Sequence, residues 1–335
     1  MRVLVTGGAG YVGSHACQAL AAAGHQPIVY DNLSEGHRMA VQWGPFEAGD
    51  ILDAERLSAV MAAHRPQAVM HFAACSRVGE SVSAPGRYYE NNVSGTLVLL
   101  AAMREHAIER LVFSSTCATY GLVDRAPITE DVEQAPINPY GRSKLMVEQI
   151  LRDCGAASPL RSIALRYFNA AGADPDGAVG EDHEPETHLI PLVLRVAAGA
   201  DDAITIFGDD YETPDGTCIR DYTHVVDLAS AHVLALDRLE TLGSFTAYNL
   251  GTGAGLSVRS IIGVAEQVTG RSITVRTGPR RVGDPPILVA DPSLARRQLG
   301  WSPRLSAPEH IVQTAWSWMI RNDGPGARSS AAPAP

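Results

Sequence analysis

Through the first 170 residues, short runs of β-branched and aliphatic residues alternate with longer stretches whose apolar positions recur every three or four residues. The runs at 2–6, 27–31, 68–72, 110–115 and 162–167 have the length and composition of buried strands. Between them, the stretches at 11–24, 54–64, 87–106 and 140–153 carry helical periodicity. Strand and helix in regular alternation is the pattern of a parallel sheet covered on both faces, so the expected fold is α/β, a Rossmann-like doubly wound parallel sheet.

Beyond residue 170 the texture changes. Residues 173–186 and 209–216 are rich in Gly, Pro, Asp and Glu and read as loops. The first domain is therefore placed at 1–170, and a smaller C-terminal α/β substrate lobe is expected to take most of 171–322. Helical patterns at 225–239, 258–268 and 308–319 complicate a clean division, and the stretch at about 225–260 is expected to return to the first domain. Residues 323–335, rich in Gly, Ser, Ala and Pro, are expected to be disordered.

Composition narrows the function. With 45% hydrophobic residues over 335 positions there is ample material for a large core, and the net charge of −10 argues against a nucleic-acid or anionic-membrane partner, both of which need a dense cationic surface. An anionic ligand would need a local group of arginines. Five cysteines (Cys17, Cys75, Cys117, Cys154, Cys218) lie far apart with no C-x-x-C spacing, which suggests neither a disulfide framework nor a zinc ribbon and fits a reducing cytoplasm. Met1 leads straight into a strand and a glycine turn, leaving no room for a secretory h-region, and no run approaches membrane-spanning length.

That glycine turn is the first chemical signal. Gly7, Gly8, Gly10 and Gly13 follow the first strand and open a helix, a spacing that allows a tight turn and lets backbone N–H groups and the positive helix end approach a pyrophosphate. Asp31, at the end of the next strand, stands near the offset of ~20 residues expected of an acid that accepts from an adenosine ribose and repels a 2′-phosphate. NAD is the expected cofactor.

The second signal is Pro139-Tyr140-Gly141-Arg142-Ser143-Lys144, which opens a helical stretch and puts Tyr140 and Lys144 on one face. A phenol with an ordinary pKa of about 10 is a weak base at neutral pH, but a nearby ammonium and a nicotinamide cation would stabilise its phenolate. Upstream, a strand ends in Ser114-Ser115-Thr116, at the carboxyl end where ligands of such sheets bind. Tyr140 is thus the candidate proton acceptor, Lys144 its electrostatic support and Thr116 a hydrogen-bonding partner for the substrate hydroxyl.

With these residues in place, the chain from about Met1 to Trp318 resembles the extended short-chain dehydrogenases, and within them the UDP-glucose (UDP-galactose) 4-epimerases. The resemblance rests on V-T-G-G-A-G-Y-V-G-S-H from Val5, Y-D-N-L from Tyr30, H-F-A-A from His71, Y-Y-E-N-N-V-S-G-T from Tyr88 and F-S-S-T-C-A-T-Y-G from Phe113. It continues through P-Y-G-R-S-K from Pro139, L-R-Y-F-N from Leu165, R-D-Y-T-H-V from Arg220 and G-D-P-P from Gly283.

The resemblance implies a set of contacts. Around NAD it places Tyr11, Val12, Asn32, Asp50, Ile51, Phe72, Ala73, Ala74, Ser76, Asn91, Ser114, Tyr167 and Phe168, in addition to the glycines, Asp31, Tyr140 and Lys144. Around a UDP-hexose it places Asn169, His188, Leu189, Phe207, Arg220, Arg281, Asp284 and Leu288, together with Thr116 and Tyr140. Arg220 and Arg281 would supply the local cationic clamp that the acidic net charge requires. A homodimer built on the helices at 87–106 and 140–153 is likewise implied.

Three positions depart from the family's pattern: Ser76 replaces a frequent lysine, with Arg77 beside it; His188 replaces a frequent asparagine; Leu288 stands where some members carry tyrosine. Members with a smaller residue than tyrosine there resemble enzymes that also admit N-acetylated sugars, so UDP-N-acetylglucosamine and UDP-N-acetylgalactosamine are candidate substrates. Among rival reactions, a 4,6-dehydratase needs an Asp-Glu pair after the threonine, whereas Thr116 is followed by Cys117 and Ala118. A non-catalytic dinucleotide sensor on the same fold would tend to lose the Tyr or the Lys. His183 and His188 lie in an acidic stretch with no clear ligand spacing, and the expected reaction needs no metal, so that stretch reads as a loop.

Overall fold

A computed structural model describes residues 1–123, 125–281 and 283–323. The chain begins with β1 (Arg2–Thr6), α1 (Tyr11–Ala22), β2 (Gln26–Asp31), β3 (Phe46–Ala48), α2 (Ala54–His64) and β4 (Ala68–His71). It continues through α3 (Val78–Ser83), α4 (Pro85–Tyr88), a π-helical turn (Tyr89–Ser94), α5 (Gly95–Glu105), β5 (Arg110–Thr116), α6 (Pro139–Ala157) and β6 (Arg161–Tyr167). Next come β7 (Asn169–Ala171), α7 (Leu189–Ala198), β8 (Ile204–Phe207), β9 (Ile219–Arg220), β10 (Tyr222–His224), α8 (Val225–Arg238) and β11 (Phe245–Leu250). The last elements are β12 (Leu256–Ser257), α9 (Val258–Thr269), β13 (Val275–Gly278), β14 (Ile287–Leu288), α10 (Ser293–Leu299) and α11 (Pro308–Asp323).

Seven of these strands form one parallel sheet in the order β11-β6-β5-β4-β1-β2-β3. Its strands are apolar on both sides because both sides are covered. In β1, Val3 and Val5 face a core made with α1, α8 and α10, while Leu4 faces one made with α2, α5 and α6. Ile163 and Leu165 of β6 make the same division with Ala164 between them. A third core joins α7, α9 and α11 through Ile190, Val193, Leu194, Ile261, Ile262, Ile311 and Val312.

The differences from the sequence expectation are local. The helix expected at 87–106 is three pieces, because α4 passes into α5 through the π-helical turn at Tyr89–Ser94. Within the stretch expected to return to the first domain, α8 packs on α1 and β11 joins the sheet beside β6, whereas α9 packs with α7 and α11. Ala295, Leu299 and Trp301 also lie in the core under β1, so this part of the later chain returns as well. The terminal segment expected to be disordered lies, beyond Asp323, outside the described residues.

Candidate active site

The sheet changes direction between β1 and β4: β2 and β3 extend it one way, β4, β5, β6 and β11 the other. A crevice opens at the carboxyl ends of two strands at such a point, and the glycine turn fills its floor. Gly7 has φ +74°, and a Cβ there would lie 2.5 Å from the amide nitrogen of Ala73, so the turns after β1 and β4 meet backbone to backbone. A Cβ on Gly13 would lie 2.1 Å from the Gly7 carbonyl oxygen. Gly10 caps α1 without a side-chain hydrogen bond and the first turn carries no acid, which leaves the helix end open to an anion.

Asp31 faces this turn from the end of β2. It is buried, and its Oδ2 and Oδ1 accept hydrogen bonds from the backbone of Ala9 (3.0 Å) and Leu33 (2.8 Å). Burial raises its pKa and these two bonds partly offset the rise. Asn32 Nδ2 donates to Asp50 Oδ2 at 2.8 Å, while the Ile51 side chain is buried under Gly95. Gly7, Gly10, Tyr11, Val12 and Gly13, with Asp31 above them, fit a dinucleotide: a cradle that side chains would block, an uncapped helix end, and an acid at the ribose position.

The rest of the expected cofactor set surrounds this crevice unevenly. Phe72, Ala73 and Ala74 continue from β4, and the Phe72 ring centroid lies 4.7 Å from that of His232. Ser76 is exposed, and neighbouring Arg77 is committed elsewhere, donating to Glu35 Oε2 at 2.6 Å and to the Glu184 carbonyl at 2.9 Å. Asn91 sits in the π-helical turn and donates to Asn92 Oδ1 at 2.9 Å. Phe168 is buried beyond the end of β6.

The proton-transfer candidates converge one strand away. Asn138 caps α6 by accepting from the Gly141 amide at 2.8 Å, and Pro139 occupies the first turn, so the helix starts where Tyr140 can face the end of β5. One turn on, Lys144 is buried, its Nζ donating to the Ser114 carbonyl at 2.9 Å and lying 4.8 Å from the Phe113 ring and 5.9 Å from the Tyr140 ring. Burial lowers its pKa to about 7 against the opposing pull of Cys75 and Glu148. Burial also pushes the Tyr140 phenol up, with Tyr167 adding to the rise and a contact with Thr116 reducing it. Thr116 is buried and accepts from the Ala118 amide at 3.1 Å, while Ser114 Oγ hydrogen-bonds the Tyr167 hydroxyl.

Beneath this set lies a polar network that the sequence reading missed. Glu148, one turn past Lys144 on the same helix, accepts from Ser115 Oγ (2.5 Å) and from Arg166 Nε (2.9 Å) and Nη2 (2.5 Å). Arg166 also donates to the Tyr120 hydroxyl at 2.8 Å, which donates to Asn249 Oδ1 at 2.7 Å. The network ties α6 to β5, β6 and β11, and it fixes the helix that carries Tyr140. Asn92 does similar work, bonding both the amide and the carbonyl of Cys75 (2.8 and 3.0 Å) and Ser143 Oγ (3.0 Å). The continuation of Tyr140 and Lys144 to Glu148 at the same spacing was a legible signal; Asn92, inside a polar run, offered none.

The expected substrate residues frame the opposite wall. Asn169 starts β7, and Leu189 starts α7 just after His188. Arg220 ion-pairs with Asp284, and the Arg281 guanidinium lies 4.1 Å above the half-exposed Phe207 ring. Leu288 of β14 is in register with Arg220 of β9 and packs on a small cluster containing Cys117, Tyr120 and Phe168. His188 is drawn instead toward Glu181 and Glu186, its Nδ1 2.8 and 3.0 Å from their carboxylates. The stretch at 173–186 is a loop as expected, but it brings its acidic and histidine side chains together.

A parallel sheet with a glycine cradle at its switch point and a Tyr-Lys helix facing a threonine defines the class of short-chain dehydrogenase/reductase-type nucleotide enzymes. The NAD dependent epimerase/dehydratase family model matches residues 3–251. The chain is 53% identical over 324 residues to a UDP-glucose 4-epimerase of Rhizobium meliloti (strain 1021), covering 97% of this chain and 98% of that one. It belongs to that family, and within it to the UDP-glucose 4-epimerases.

Solved structures agree. The Brucella ovis UDP-glucose 4-epimerase in complex with NAD superposes with a TM-score of 0.92 at 55% identity, covering 94% of this chain and 97% of that one. The Bifidobacterium longum enzyme in complex with NAD+ and UDP gives 0.92 at 39% identity, covering 96% and 99%. Among the described residues, no helix is long and apolar enough to cross a membrane.

Proposed function

We propose that the protein interconverts UDP-glucose and UDP-galactose by transient oxidation of the sugar at C4, with NAD held over the β1–α1 turn. The observation that carries this reading is the convergence of Tyr140, Lys144 and Thr116 at the carboxyl end of β5, beside the glycine cradle. NAD, which Gly7, Gly10, Tyr11, Val12, Gly13 and Asp31 would hold, would supply reversible hydride chemistry at C4, so no outside redox partner would be needed.

The side chains handle the proton and the charge. Tyr140 accepts the C4 hydroxyl proton while Thr116 hydrogen-bonds the same oxygen. The Lys144 ammonium, fixed by the Ser114 carbonyl, stabilises the phenolate that burial alone would disfavour. After the 4-keto sugar turns over, Tyr140 returns its proton to the same oxygen, now borne on a C4 centre of inverted configuration. Arg220, Arg281 and Phe207, with Asn169 and Leu189, hold the UDP group meanwhile, and Asp31 favours NAD over its 2′-phosphate by charge.

A second substrate class rests on Leu288. It packs on the cluster that holds Cys117, the residue after Thr116, without the bulk or hydroxyl of a tyrosine, which leaves room for the acetamido group of UDP-N-acetylhexosamines. A homodimer through α5 and α6 is supported by the exposed Leu97 and Met146 on those helices, and a cytoplasmic location by five free cysteines. Incubating the purified protein with UDP-galactose alone tests the main reading. UDP-glucose should accumulate to an equilibrium without added reductant; no conversion by NAD-loaded protein overturns it.

A further inference from the structure

The loop between β7 and α7 contains a group of side chains that the epimerisation chemistry does not use. Nδ1 of His183, Nδ1 of His188 and carboxylate oxygens of Glu181 and Glu186 all lie within 4.8 Å of one another. Four of the contacts are 3.3 Å (His183 Nδ1–Glu181 Oε1), 3.7 Å (His183 Nδ1–Glu186 Oε2), 2.8 Å (His188 Nδ1–Glu181 Oε1) and 3.0 Å (His188 Nδ1–Glu186 Oε1), so the two imidazoles meet different oxygens of Glu186. Tetrahedral coordination with metal–ligand bonds of about 2.0–2.2 Å puts ligand atoms roughly 3.3–3.6 Å apart. The contacts bracket that spacing, and one atom from each residue lies within reach of a single ion.

A second observation points into the same space. Glu181 Oε1 and His183 Nδ1 are shielded from solvent and make no hydrogen bond, although the Glu181 side chain is only 7% exposed. Among the described residues that oxygen meets only the two imidazole nitrogens, without hydrogen-bond geometry, and a buried carboxylate is costly unless a cation pairs with it. Glu186 is already oriented, since its Oε1 accepts from the amides of Thr187 (2.6 Å) and His188 (2.7 Å), and its side chain is 8% exposed.

We propose that Glu181, His183, Glu186 and His188 form a four-coordinate site for a divalent transition-metal ion of the zinc type. Two imidazoles and two carboxylates suit such an ion better than Ca²⁺ or Mg²⁺, which prefer all-oxygen shells. The ion would tie the loop into a ring just before α7, with His183 set edge-on to Tyr11 at the start of α1, ring centroids 6.2 Å apart. It would thus brace one wall of the cofactor crevice and has no part in the proton transfer.

The experiment uses untagged, full-length, chelator-treated protein titrated with Co²⁺, followed by Zn²⁺ competition. One equivalent should bind with the intense visible absorption of tetrahedral Co²⁺ and be displaced by Zn²⁺. Glu181→Gln and His183→Gln should each weaken binding at least a hundredfold, whereas His37→Gln, beside the loop but outside the four, should keep the full equivalent. Calorimetry of native protein should find one Zn²⁺ bound per chain, a readout that needs no variant to fold. No Co²⁺ uptake, only the weak absorption of octahedral Co²⁺, or uptake unchanged in His183→Gln would each overturn the site.

Discussion

In the proposed reaction Tyr140 and Thr116 would both meet the C4 oxygen. Lys144 Nζ lies 5.9 Å from the Tyr140 ring, where an ammonium would favour a phenolate, and Tyr140 is the proposed proton acceptor. Tyr140→Phe should therefore lower kcat by about 10²–10⁴-fold while leaving bound NAD in place, and Thr116→Val should cost less. Comparing kcat and dinucleotide content of both variants checks the assignment; near-normal turnover in Tyr140→Phe would remove the proton acceptor from the scheme. Lys144→Met gives a pH test. Without the ammonium, the phenol keeps the raised pKa that burial imposes, so kcat should be low at neutral pH and climb steadily toward about pH 10, with no break near pH 7 of the kind that Lys144 titration gives the native enzyme.

What was legible at this scale follows from chemistry that depends on local spacing. Tyr140, Lys144 and Asp31 stand out because a helix turn or a strand end suffices to define their partners. Arg166 and Asn249 do not, since each becomes meaningful only when distant strands bring it to Glu148 or Tyr120. Glu181, His183, Glu186 and His188 follow no ligand spacing along the chain, and only the fold of the loop makes them neighbours.

At the scale of elements, the glycine turn and α1 behave as one part. Gly13 sits in the first turn of the helix with its α-carbon against the Gly7 carbonyl, both of them backbone and unable to rotate away. Gly13→Ala must push the helix start off the turn, which opens the cradle without emptying the core beneath it. Purified Gly13→Ala should carry much less dinucleotide than the native protein and bind added NAD at least about tenfold more weakly, a loss of about 1.4 kcal/mol. Equal retention would show that the turn tolerates the shift.

The central strands were readable because four to six consecutive buried residues leave a largely apolar run. Strands β7, β9, β10, β12 and β14 have two or three residues each and leave no such run. Helix α7 was missed for another reason: Leu189–Ala198 is apolar at nearly every position, with Pro191 in its first turn, and so short an apolar run reads as a buried strand as readily as a helix. The π-helical turn that divides the expected 87–106 helix is a hydrogen-bonding register change, which no hydrophobic pattern encodes.

For the whole molecule, the substrate wall belongs to both halves of the chain. Leu288 arrives from the late part of the sequence to pack beside Cys117, Tyr120 and Phe168, which follow β5 and β6. If this side chain limits the space around the sugar, Leu288→Tyr should reduce kcat/KM for UDP-N-acetylgalactosamine relative to UDP-galactose by about 10–200-fold, equivalent to about 1–3 kcal/mol. Measuring both substrates in native and variant protein decides it. An unchanged ratio, or no activity of the native enzyme on the N-acetyl sugar, means that another residue sets the limit.

The order of the seven-stranded sheet also bears on how this chain is made. Strand β6 is complete by residue 167, but its outer neighbour β11 is not translated until residue 250. During synthesis, the free edge of β6 must wait about 80 codons while the intervening segment emerges, and an unpaired edge is a template for pairing with another chain. A gene fragment cut near residue 170 would preserve that waiting state indefinitely: it would hold the whole glycine cradle and the Tyr140 helix, yet lack the strand that closes the sheet. Self-association is the expected fate of such a fragment, and supplying the later segment in trans is the rational rescue.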